Sequence, residues 1–171
     1  MWLLSTLAMA GLLYIAFKPV EPALKARIRE IKSKANPAIG KQLGIDSVKQ
    51  VVNIIKSIKY RPDTRDYTQT PEETLTLKEG DCEDISVLAY SLLDYLGLEP
   101  DIAIAWNEGE PEAHAFVYYW CPDKKAYVII SNNDVFTAPT IEEAASMLGF
   151  SNVIYSNSQS KQSTEVIEWA T

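Results

Sequence analysis

Sulfur and imidazole are scarce in this chain of 171 residues, which carries two cysteines, Cys82 and Cys121, and one histidine, His114. Two thiols exclude a disulfide-rich scaffold and a four-ligand zinc site, and leave room for one disulfide at most. The chain also lacks an internal repeat, a heptad run and a glycine-rich phosphate loop. Charge is missing from the first 17 residues altogether, and bases are sparse beyond Tyr60. The net charge is therefore +7 over the first 60 residues and -14 over the remainder, or -7 in all. An acidic body argues against nucleic acid as its partner, because phosphate binding needs positive charge at the contact surface. With 47% apolar residues, there is ample material for one folded core.

The uncharged run ends at Lys18-Pro19. Its length is at the lower limit for a helix that spans a bilayer. Ala8-Met9-Ala10 resembles a small-residue cleavage site, but no basic region precedes it, so an uncleaved anchor is expected. Lys and Arg follow the run, which places the body of a single-pass protein on the cytoplasmic side. The expected organisation is a membrane helix over 1–18, a basic amphipathic stalk over 19–43 and a globular domain over 44–171. In the stalk, Leu24, Ile28 and Ile31 share one face. A helix lying near anionic lipid and a helix packing on its own domain both fit that face.

Asp46 is expected to cap a helix in which Val48, Val51, Val52, Ile55 and Ile58 recur at helical spacing, after a break at Asn36-Pro37 and Gly40. Thr70-Pro71-Glu72-Glu73 supplies an N-cap, a proline at the first helical position and a capping-box glutamate. That helix runs to about Leu77 and is closed by Gly80. Residues 82–96 form the strongest helix, with Ile85, Leu88, Ala89, Leu92, Leu93 and Leu96 as its buried stripe and Gly97 ending it. Strands are predicted over 102–106, 114–120 and 127–131, with Pro122-Asp123-Lys124 as a turn. A helix over 141–148 and short strands over 153–155 and 166–169 complete the pattern.

Gly80-Asp81-Cys82-Glu83-Asp84 puts a cysteine in the first turn of a helix, where unpaired N–H groups and the helix dipole favour a thiolate. Its acidic neighbours oppose ionisation. His114 opens an apolar strand after the loop 107–113. A cysteine on a helix and a histidine on a strand supply a nucleophile and a base from different elements, as thiol acyl transfer requires. A third group is needed to accept a hydrogen bond from the imidazole. Ser131, Asn132, Asn133 and Asp134 lie at the end of the next strand, and Asn132 is selected for this role.

Four segments carry a resemblance: Tyr60-x-x-Asp63, Thr70-Pro71-Glu72-Glu73-Thr74-Leu75, Gly80-Asp81-Cys82-Glu83-Asp84 and Ala113-His114-Ala115-Phe116-Val117. Together they resemble the bacterial transglutaminase-like cysteine proteinases over roughly residues 45–134. The resemblance implies an α+β fold with a papain-like core, in which a cysteine-bearing helix packs on an antiparallel sheet carrying the histidine and an acid. Where that family has Leu-Asp-Asn after the last strand, this chain has Ile130-Ser131-Asn132, so the family's acid position holds a serine. Some members bind calcium beside the cysteine, which implies Asp81, Glu83 and Asp84 here as ligands.

The expected function is hydrolysis of a peptide or amide bond in a protein or peptide substrate through an acyl-enzyme, with transamidation if an amine replaces water. The competing expectation is a weakened or inactive domain of this fold, serving as a membrane-bound structural component such as that of a virus particle.

Overall fold

The computed structural model describes residues 20–62 and 67–156. The expected anchor over 1–18 and the strand over 166–169 lie outside the described residues. Among the described residues, no helix is long and apolar enough to cross a membrane.

Four helices and a short strand come first: α1 (Val20–Ser33), α2 (Ala38–Leu43), α3 (Val48–Lys56), β1 (Lys59–Tyr60) and α4 (Pro71–Leu77). Then follow β2 (Glu79–Gly80), α5 (Cys82–Tyr95), β3 (Asp101–Trp106), β4 (Ala113–Cys121), β5 (Ala126–Ser131), β6 (Asp134–Ala138), α6 (Ile141–Met147) and β7 (Asn152–Tyr155). The last five strands form one antiparallel sheet in the order β6-β5-β4-β3-β7, while β1 and β2 pair in parallel. The α+β class, with the cysteine-bearing helix packed on an antiparallel sheet, is as expected from the motifs.

Alternation along β4 divides the sheet's two faces. Ala115, Val117 and Tyr119 join Ile85, Leu88, Leu92 and Leu93 of α5 in the larger core. Phe116 and Tyr118 face the other way, into a smaller core with Ile141, Ala144 and Ala145 of α6. Register matters here, since a one-residue slip would exchange the two faces.

Local chemistry explains most element ends. Thr70 Oγ1 accepts from the Glu73 N–H at 3.3 Å and Glu73 returns a bond to the Thr70 N–H at 2.8 Å, so the predicted capping box is present. The helix it opens is closed by Lys78 in the left-handed region, not by Gly80. Ser47, not Asp46, is the N-cap of α3. Gly40 does not break the chain but sits inside α2 with the Tyr95 ring against it. Strand β6 was not foreseen; Val135 and Thr137 face outward, so its sequence lacks the apolar run of a buried strand.

The boundary expected between a stalk and a domain starting at Gly44 falls inside the packed unit. Ile28 and Ile31 of α1 are buried at 1% and 0% exposure in the same core as α5, together with Ile39 of α2. A polar tie reinforces the packing. Lys32 Nζ of α1 donates to Asp101 Oδ1 at 2.9 Å, the Tyr118 hydroxyl donates to Asp101 Oδ2 at 3.1 Å, and the Ile102 N–H donates to Asp101 Oδ1 at 2.8 Å. The apolar face of α1 is thus core, and its basic residues answer acids of the body. Replacement Ile31→Ala is expected to cost about 2–5 kcal/mol of stability by urea unfolding, the range for deleting a buried aliphatic side chain. A loss below about 0.5 kcal/mol would return α1 to the status of a separate stalk.

Candidate active site

The first turn of α5 is fixed by two aspartates acting on each other's backbone. Asp81 is the N-cap, and its Oδ1 accepts from the N–H groups of Glu83 at 2.9 Å and Asp84 at 3.1 Å. Asp84 Oδ2 accepts from the Asp81 N–H at 3.0 Å, closing a capping box. Asp84 is 1% exposed, and its other oxygen accepts from the Gln69 N–H at 2.7 Å. Burial pushes its carboxyl up to about 6, against the lowering effect of the Gln69 and Asp81 N–H groups. A Cβ on Gly80 would lie 2.7 Å from the Asp84 Cβ, so the motif's glycine makes room for that buried side chain.

Cys82 is thereby held as the first residue of the helix, half-buried at the edge of the larger core. Burial pushes its thiol up to about 11, and the charges of Asp81 and Glu83 add to the rise. The nearby backbone N–H of Ala115 opposes the rise. Cys82 therefore shares the Ala115 face of β4, the strand on which His114 stands. The two cysteines are both free.

His114 lies on the opposite side of the β4 alternation from Ala115, and its Nε2 is 2.8 Å from Ser131 Oγ. The partner expected at Asn132 is thus replaced by Ser131, and strand geometry explains why. On β5, Ile130 belongs to the α5-side core and Ile129 to the other, so Ser131 continues the face that His114 shares. Asn132 instead occupies the β5–β6 turn with φ +49, and its Oδ1 is buried without a hydrogen-bond partner. Asn133 Nδ2 donates to the Ile58 carbonyl at 2.9 Å, which ties the turn to the end of α3. Phe150 stacks on the imidazole with ring centroids 5.8 Å apart and planes 3° from parallel. Burial lowers the histidine's pKa.

The acids implied as calcium ligands do not gather into one cation site. Asp81 and Asp84 serve the helix cap, as above. Glu83 Oε1 accepts from Arg27 Nε at 2.8 Å, and its Oε2 accepts from Arg27 Nη2 and, at 2.8 Å, from the Thr68 hydroxyl. Among the described residues, no group of three or more His, Cys, Asp or Glu side chains is placed to hold a metal ion. The physical reason is that each carboxylate already has protein donors, Asp81 and Asp84 in the helix cap and Glu83 at Arg27 and Thr68.

Tyr60 is a neighbour that the sequence reading gave no role. It pairs with Gly80 across β1 and β2, and its hydroxyl is raised first by burial and then by the charges of Cys82, Asp81 and Glu112. The β3–β4 loop thus brings Glu112 close to the cysteine's surroundings. Phe150 and Arg27 were likewise missed as site residues; only the pairing of elements in space shows them.

The cysteine at the amino terminus of α5 and the hydrogen-bonded histidine of β4 thus stand on two elements that pack together. The transglutaminase-like superfamily profile matches residues 26–130, and the chain belongs to that superfamily. No curated relative matches the chain. Among solved structures, LapG of Legionella pneumophila is similar at 19% identity and a TM-score of 0.44, over 63% of this chain and 62% of the LapG chain. Its calcium-bound form is similar at 21% identity and a TM-score of 0.44, over 63% and 62% of the two chains. A candidate cysteine protease of Cytophaga hutchinsonii is similar at 17% identity and a TM-score of 0.40, over 80% of this chain and 48% of that one. This chain thus spans less than two thirds of the length of each.

Burial thus favours the neutral form of both Cys82 and His114. Alkylation of Cys82 by iodoacetamide, read by peptide mass spectrometry, is expected to rise about tenfold per pH unit from about pH 7 to 10. A rate already at its plateau below about pH 7 would show an ion pair instead.

Proposed function

We propose that this domain is a thiol hydrolase that cleaves peptide or amide bonds through an acyl-enzyme on Cys82. The observation that carries the reading is a cysteine at the first turn of α5, a helix packed on the strand β4 that carries His114, whose Nε2 is engaged by Ser131. With Nε2–H donated to Ser131 Oγ, Nδ1 keeps its lone pair and serves as the base. It takes the thiol proton as the sulfur attacks the substrate carbonyl, then returns that proton to the departing amine. Water, activated by the same nitrogen, releases the acyl group; an amine in its place gives transamidation. The Cys82 backbone N–H is available at the helix terminus for the oxyanion, since the Asp81 cap takes the N–H groups of Glu83 and Asp84.

Ser131 is neutral, so it orients the imidazole without stabilising the positive charge that forms on it. This favours a slow enzyme over a fast one. It also gives support to the second reading, a transglutaminase-like module that has lost catalysis and acts as a structural component. No step is assigned to calcium, because the acids beside Cys82 are held by protein donors. The uncharged run before Lys18 would tether the domain to a membrane, with the body on the cytoplasmic side and substrates drawn from that surface.

Acylation of the full chain by a p-nitrophenyl ester separates the two readings. A burst of nitrophenolate is expected that vanishes in Cys82→Ala and falls by at least about a hundredfold in His114→Ala, the scale of a lost general base. The burst should be equal in calcium and in chelator. Ser131→Asp is expected to speed it on the order of tenfold or more, since a carboxylate beside an imidazole raises its basicity by about one to three pKa units. Cys82 reacting no faster than Cys121, with no response to His114, would leave the structural module.

A further inference from the structure

Phe150 lies beyond the matched residues 26–130, in the link between α6 and β7. That link is closely specified. Gly149 takes φ +88, a conformation that favours glycine, and the Phe150 N–H turns back to the Ala145 carbonyl at 2.9 Å. Asn107, at the start of the loop that leads into His114, then grips the backbone on both sides of Phe150. Its Nδ2 donates to the Gly149 carbonyl at 3.2 Å, and its Oδ1 accepts from the Ser151 N–H at 2.8 Å. Glycine, asparagine and phenylalanine converge on one result, an aromatic ring held parallel to the imidazole and offset from it, with centroids 5.8 Å apart.

We infer that Phe150 is a positioning residue for the reaction, fixing the plane of His114 so that its Nε2 stays on Ser131. This rests on the hydrolase reading above. A hydroxyl rotates about its C–O bond and gives one hydrogen bond, which pins a single ring atom but not the ring's plane. A carboxylate would do more. The offset-parallel Phe150 ring supplies the missing restraint on the plane. Leucine at this position would fill similar space without offering a flat face.

The chain's single histidine makes the test direct, because one set of imidazole nitrogen signals reports the ring. In the full chain labelled with 15N-histidine, the Nε2–H tautomer is expected to dominate in the wild type and in Phe150→Tyr. In Phe150→Leu the shifts should move toward the average of two tautomers. Ester acylation at saturating ester should fall roughly tenfold in Phe150→Leu with KM unchanged, the scale of lost orientation in a positioned base. Phe150→Tyr should restore it, and Asn107→Ala should lower it by less. Equal melting temperatures for Phe150→Leu and Phe150→Tyr would exclude a merely structural effect. Phe150→Leu with wild-type shifts and wild-type acylation would overturn the inference. Shifts that move while acylation of the wild type ignores His114 would instead remove the hydrolase reading and leave the ring contact standing.

Discussion

The capping box between Asp81 and Asp84 is the constraint on which the rest of the site depends. It sets the first turn of α5, and so decides where the Cys82 sulfur and backbone N–H point. Asp84 does two further things. It holds the Gln69 N–H, which anchors the segment leading into α4, and it fills space that only a glycine at position 80 leaves open. A buried carboxyl with these partners is costly to remove, because the N–H groups it satisfies would be left unpaired inside the fold. Glu83 then fastens α1 through Arg27, across 56 residues of chain. Three consecutive functions, capping, anchoring and clasping, surround one thiol.

That crowding of acids has an electrostatic consequence. Negative charge at a helix amino terminus is favourable for the helix and unfavourable for a neighbouring thiolate. The two effects act on different groups, so the motif can strengthen α5 while holding Cys82 as a thiol. The Ala115 N–H offsets part of this, and Arg27 keeps Glu83 paired.

Much of this was readable from the residues. The helix that starts at Cys82, the strand that starts near His114 and the capping box at Thr70 follow from spacing and capping chemistry that act within a few residues. What the residues left open or missed was non-local. The face of α1 carrying Ile28 and Ile31 looks the same whether it meets lipid or a core; only the position of α5 decides it. The choice between Ser131 and Asn132 turned on where β5 ends and its turn begins, a margin of one residue that strand alternation resolves and composition does not. Phe150 and Tyr60 are ordinary aromatics in sequence, and their proximity to His114 and Cys82 arises from sheet order and the pairing of β1 with β2.

A serine where the family has an acid shifts the work of orientation onto the surroundings. An acid would align the imidazole and stabilise its charged form together; Ser131 can align only. The same burial that lowers the basicity of His114 also removes water that would compete for its nitrogens, so the neutral, hydrogen-bonded tautomer gains from the environment that weakens the cation. A base of this kind is preorganised but mild. It suits a thiol that is itself the more nucleophilic for having a high pKa, since sulfur's intrinsic reactivity grows with basicity. On the hydrolase reading, proton transfer between them is the demanding step, and the groups that fix the imidazole, Ser131 at Nε2 and the parallel Phe150 ring, are the ones on which the rate would depend.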